Sequence, residues 1–151
     1  DGAEPSGTSV ALMNLLRLAV FTGADHWRQL AERAMLAHAA VLTERPSIMG
    51  EALLAVEFHA ATPLEIVVVW PDGEAATAAP LLDVLRRTFI PAHALAGCAE
   101  SAIDSLADSI PFVRGKHAQA GRATAYVCHH GRCDLPLTDP AALAALLRRV
   151  V

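Results

Sequence analysis

The chain has 151 residues, 54% apolar and 5% aromatic, with a formal net charge of −4. Lys116 is the single lysine, so no basic patch of the kind nucleic acid needs is in evidence. No apolar run reaches the roughly 18 residues that a helix needs to cross a bilayer.

The opening Asp1-Gly2-Ala3-Glu4-Pro5-Ser6-Gly7 has no initiator Met and no basic apolar leader, and reads as a loop from a longer chain. Gly7 to Thr22 is predicted as a helix, apolar at Val10, Met13, Leu16 and Val20 and again at Leu12, Leu15 and Ala19. Two apolar faces predict burial on most sides. Gly23 is its stop signal, and Asp25 is the expected cap of a second helix reaching about Leu42. The expected inner face of that helix is Trp27, Leu30, Ala34, Ala37 and Val41. Pro46 and Ser47 introduce a third helix from Met49 to about Ala60.

At Pro63 the pattern changes. Leu64-Glu65-Ile66-Val67-Val68-Val69-Trp70 is β-branched and bounded by Pro63 and Pro71-Asp72-Gly73, which predicts a buried strand. A helix follows from Thr77 to about Phe89, with Pro80 in its first turn. His93–Ala96 is a second strand ending at Gly97, and Ser101 to about Ser109 a short helix. Residues 111–122 read as loop. Thr124–Cys128 and Cys133–Leu137 are two strands joined by His129-His130-Gly131-Arg132. Asp139 caps a last helix that starts on Pro140 and runs to Arg149.

The predicted organisation is a helical segment over 1–62 and an α/β domain over 63–151. The latter has the order β-α-β-α-β-β-α, the element order of a thioredoxin-like domain. A thioredoxin-type enzyme places Cys-x-x-Cys after the first strand, where a helix N-terminus lowers the thiol pKa. Trp70-Pro71-Asp72-Gly73-Glu74-Ala75 stands there instead, without cysteine.

Three cysteines argue against a secreted disulfide scaffold and for a cytoplasmic setting. Cys128 and Cys133 face each other across the predicted hairpin, where opposed Cα atoms lie about 4.5–5.5 Å apart, near disulfide range. Three readings of this pair stand: a reversible disulfide, a zinc site with His129 and His130, or two cysteines packing a hairpin. Against zinc, strand alternation sends Cys128 and His129 to opposite faces, and no second ligand pair follows at zinc spacing; no metal or other cofactor is expected. Cys98 is expected to be a lone thiol. His26, His38, His59 and His93 fall on separate elements. Arg114, Lys116 and His117 share the long loop and could hold an anion or be solvated there. Ser6 or Thr8 would cap the first helix, while Asp1 and Glu4 could serve acid–base work on a sugar.

The motifs Asp1-Gly2-Ala3-Glu4-Pro5-Ser6-Gly7-Thr8-Ser9, Gly121-Arg122-Ala123-Thr124-Ala125-Tyr126-Val127-Cys128 and Cys133-Asp134-Leu135-Pro136-Leu137-Thr138-Asp139-Pro140 together resemble the C-terminal end of the spermatogenesis-associated protein 20 family. The resemblance implies a parent protein with an N-terminal thioredoxin-like domain bearing Cys-x-x-Cys, an (α/α)6 barrel similar to six-hairpin glycosidases, and a small C-terminal α/β region. The present residues would then be the terminal barrel helices and that α/β region. It also implies that Asp1, Glu4 and Ser6 match a motif bordering the barrel cavity. The expected function is a non-catalytic C-terminal portion contributing to a carbohydrate-like ligand cavity. The alternatives are a thiol–disulfide redox module using Cys128 and Cys133, or a module for self-association. The expected partners are a second copy or the upstream barrel and thioredoxin domains, with neither nucleic acid nor membrane. For self-association the contact residues would be Val10, Met13, Leu16 and Val20.

Overall fold

The computed structural model describes residues 1–129 and 131–151. His130, named above as a possible zinc ligand, lies outside the described residues. The chain divides into two compact units, Asp1–Pro63 and Leu64–Val151.

The first unit is helical: α1 (Gly7–Thr22), α2 (Asp25–Ala37), α3 (Ala39–Glu44) and α4 (Gly50–Ala60). α1 packs against α2 and α4. Its buried positions are Ser9, Leu12 and Leu16. Val10 is 40% exposed and Leu16 only 3%, so the expected contact face of Val10, Met13, Leu16 and Val20 is split between core and surface. Gly23 closes α1 in the left-handed conformation, φ 64°, which only glycine adopts without a Cβ penalty.

Two expectations for the next helix are corrected. Ala24, not Asp25, is the N-cap, and no side chain caps it. The Asp25 carboxylate instead accepts from Arg28 at 2.9 Å. The helix also breaks at His38 rather than running to Leu42. There the His38 amide donates to Met35 O at 3.1 Å, a tightened last turn, and Nδ1 sits 2.8 Å from Ala34 O. The buried residue of α2 is Ala31, while Leu30 and Val41 lie outside.

The second unit contains β1 (Leu64–Trp70), α5 (Ala79–Arg87), β2 (His93–Ala99), α6 (Ile103–Ala107), β3 (Thr124–His129), β4 (Arg132–Cys133) and α7 (Pro140–Val150). The described residues thus form a mixed α/β chain with seven α-helices and one four-stranded sheet. The sheet order is β2-β1-β3-β4. β1 pairs parallel with β2, from Leu64↔His93 to Trp70↔Ala99. It pairs antiparallel with β3, from Glu65↔Cys128 to Val69↔Thr124.

The period-2 alternation of β1 feeds two cores. Leu64, Ile66 and Val68 join Leu81 and Leu85 of α5 and Leu143 and Leu147 of α7. Val67 and Val69 join Ala96, Cys98, Ile103, Val113 and Tyr126. Both faces are covered, which is why β1 reads as an unbroken apolar run apart from Glu65.

β2 does not end at Gly97; it continues to Ala99. A Cβ at Gly97 would lie 3.2 Å from Cζ3 of Trp70, so glycine admits the Trp70 ring rather than stopping the strand. The last strand is shorter than expected. Beyond Cys133 the contact with β3 is reduced to the Asp134 amide on Val127 O and the isolated bridge Ala125↔Leu137. α7 is capped as expected, the Asp139 carboxylate accepting from the amides of Ala141 and Ala142 at 3.3 and 3.1 Å.

Candidate functional site

β3 and β4 place Cys128 directly opposite Cys133. The two sulfurs are bonded. The Asp134 amide donates to Val127 O at 3.0 Å, so Val127 and Asp134 form the hydrogen-bonded pair and the cysteines the neighbouring non-hydrogen-bonded one. Such positions are the closer kind in an antiparallel ladder, and the Cα atoms here are 3.8 Å apart. The pair His129↔Arg132 closes the hairpin, and Gly131 has φ 73°, the left-handed conformation that two-residue hairpin loops require. Pairing therefore continues past the cysteines to His129 and Arg132.

The two ends of the bridge differ. Cys128 is 3% exposed, while Cys133 is exposed. Above Cys133 stands Lys116, its Nζ donating to Sγ at 3.1 Å and lying 5.2 Å from the centroid of the Tyr126 ring. The loop carrying Lys116 is pinned. Gly115, at φ 72°, turns the chain immediately before it. The Tyr126 hydroxyl donates to His117 O at 2.8 Å and accepts from the His117 amide at 3.1 Å. Glu100 Oε1 accepts from the Ala118 amide at 3.3 Å and lies 3.5 Å from His117 Nδ1.

Glu65, in register with Cys128, shares this side of the sheet. Burial pushes its carboxyl pKa up, and the Lys116 charge opposes that rise. Burial pushes the Lys116 ammonium down, and Glu65 opposes that fall. Half-buried charges of opposite sign therefore lie beside the disulfide, each costly to bury alone.

The other predicted residues fall elsewhere. The Asp1 carboxylate accepts from the Ser6 amide at 2.7 Å and from the Glu51 amide, in the first turn of α4, at 2.9 Å. Ser6 caps α1, its Oγ accepting from the Ser9 amide at 3.1 Å. Glu4 is exposed. A cavity of about 260 Å³ in the helical unit is lined by Leu16, Val20, Arg28, Phe58 and His59 among others, but not by Asp1, Glu4 or Ser6.

Cys98 is free and buried, and burial pushes its thiol pKa up. Arg114 donates to Ala107 O at 3.3 Å. The His26 ring lies 4.3 Å from that of Trp27 at a tilt of 42°, His59 Nε2 lies 3.5 Å from Glu32, and His93 Nδ1 lies 2.7 Å from Ile90 O. Among the described residues no three His, Cys, Asp or Glu side chains converge as a metal set. After β1, where a thioredoxin-type dithiol would stand, Asp72 accepts from the Ser101 amide at 3.0 Å, which holds its carboxyl below the usual range.

Nothing in the residue pattern joins Lys116 to Cys133 or Glu65 to Cys128 in one site. The available signals were a single lysine in the chain and one charge inside an apolar strand. Among the described residues no helix is long and apolar enough to cross a membrane.

The chain is 32% identical over 147 residues to spermatogenesis-associated protein 20 of Homo sapiens, covering 97% of this chain and 19% of that protein. It is 30% identical over 149 residues to the proteins of that name from Mus musculus and Rattus norvegicus, covering 99% of this chain and 19% of each. The chain therefore spans 19% of the length of these curated relatives. No family model and no solved structure matches it.

Proposed function

Because the chain corresponds to a C-terminal segment of the spermatogenesis-associated protein 20 family, we propose that it is a portion of a larger protein without turnover of its own, carrying a reversible disulfide, Cys128–Cys133. The observation that carries this is the bonded pair itself, set in register across β3 and β4 with one sulfur buried and one exposed.

The strand order β2-β1-β3-β4, with β1 parallel to β2 and antiparallel to β3, supports a thioredoxin-like domain whose usual dithiol position holds Asp72. In a cytoplasmic setting disulfides are rare and those that form are mostly redox-active, which favours a cycling bond over a permanent staple. Asp1 and Ser6 support the loop that joins the starts of α1 and α4, so the carbohydrate-cavity role has less support than the redox one.

Mild oxidation of the folded protein, followed by unfolding and alkylation, is expected to leave one alkylated residue, Cys98, and full reduction to give three. Three alkylated cysteines after oxidation would overturn the proposal.

A second reading assigns the helical unit to self-association or to docking on upstream helices of the barrel. It is supported by the exposure of Leu36 (75%), Leu54 (50%) and Ile48 (47%), since apolar surface of this kind marks interaction sites when it is contiguous. Light scattering should then show mass rising above the monomer with concentration, and Leu36→Lys with Leu54→Lys should reverse it. A monomer at every concentration sinks this reading.

A further inference from the structure

We propose that Cys133 is the sulfur through which the hairpin disulfide exchanges with an external dithiol, that Lys116 holds Cys133 as the thiolate, and that Cys128 is the buried resolving thiol. This rests on the reversible disulfide proposed above and deepens it by assigning the partner's chemistry and each group's part.

Access decides the first point. An attacking thiolate must approach in line with the S–S bond, and only the Cys133 end is exposed. Electrostatics decides the second. The Lys116 ammonium lies 3.1 Å from the Cys133 sulfur, and a neighbouring cation favours thiolate over thiol. It also attracts the anionic attacker. Glu65 acts in the opposite sense at Cys128, its register partner, and burial reinforces that effect, so the second sulfur takes up a proton on reduction.

The exchange balances as follows. The dithiol, in its monothiolate form, attacks Cys133 Sγ. A mixed disulfide forms, the Cys128–Cys133 bond breaks, and its electron pair stays on Cys128, which takes a proton. The dithiol's second sulfur, deprotonated, attacks its own partner sulfur in the mixed disulfide. The bond to Cys133 breaks, and Cys133 leaves as a thiolate against Lys116. The dithiol has lost two electrons and two protons; Cys128 keeps one proton and solvent takes the other. In reverse, the Cys133 thiolate attacks the disulfide of the oxidised partner and Cys128 resolves the mixed disulfide.

Asp134, next to Cys133, lies 3.5 Å from Arg149 of α7. The Tyr126 hydroxyl is engaged with His117. His129 and Arg132 sit at the hairpin tip, one position along their strands from the cysteines and so on the opposite face.

The test is site-resolved iodoacetamide alkylation of the reduced protein across pH, read by peptide mass. Cys133 is expected to react first, with a midpoint below the roughly 8.5 of a free thiol. Lys116→Gln should raise that midpoint by about one unit and slow alkylation at pH 7 about tenfold; Lys116→Arg should retain most of the effect. Faster alkylation of Cys128, or a Cys133 profile that Lys116→Gln leaves unmoved, overturns the assignment. That failure is distinct from failure of the disulfide proposal, because the profile is read on reduced protein whether or not the pair closes.

Discussion

Leu147→Ala is expected to lower the stability of the Leu64–Val151 unit by about 3 kcal/mol, the mid-range for a buried leucine truncated in a packed core. Leu147 is fully buried on α7 among Ile66, Val68, Leu81 and Leu143. These side chains come from β1, α5 and α7, so the cavity would open where one sheet face meets both of its covering helices. Close packing leaves such a site little freedom to collapse. Leu135→Ala is the control: Leu135 is 83% exposed, and a surface change of this kind stays within about 0.5 kcal/mol. Urea unfolding in a Trp27→Phe background, read by Trp70 fluorescence, separates the two. Equal midpoints for the two variants would contradict the assigned core.

Cys133→Ser is expected to cost about 2 kcal/mol under oxidising conditions and nearly nothing in reductant. The bridge closes a loop of sequence separation 5, and the loop-entropy relation gives about 2 kcal/mol for a loop so short. The same urea titration, run with and without dithiothreitol, measures it. A stability gap that persists in reductant would assign the loss to packing of the side chain rather than to the bond.

Most of the α/β unit is legible from residue pattern. The β-branched run Leu64–Trp70 is a strand from end to end, because parallel pairing with β2 and antiparallel pairing with β3 leave neither edge open, and a core covers each face. Asp139-Pro140 starts α7 for the reason the cap chemistry states. What fails is local chemistry that depends on a distant partner. Gly97 looks like a stop, yet its missing side chain makes room for Trp70. His38 looks like an interior helix position, yet its backbone tightens to a 3₁₀-type turn. The expected inner face of α2 fails at Leu30, Ala37 and Val41, which are exposed, while Ala31, outside that face, is the buried residue of the helix.

The site follows the same division. The opposition of Cys128 and Cys133 is a consequence of strand periodicity and is visible in the sequence. The pairing of Lys116 with Cys133 is not, because it depends on the turn at Gly115 and on Tyr126 pinning the backbone of His117. Glu65 is visible as a charge in an apolar strand, but its place beside Cys128 depends on the β1–β3 register.

The most direct test of the reversible disulfide is a redox titration of the folded protein in graded mixtures of oxidised and reduced dithiothreitol, with Cys128, Cys133 and Cys98 each quantified by differential alkylation. The predicted result is one two-electron transition in which Cys128 and Cys133 change together, running identically in both directions, while Cys98 stays a thiol throughout. Cys128 and Cys133 alkylating as independent thiols at every ratio, or either of them pairing with Cys98, would contradict it.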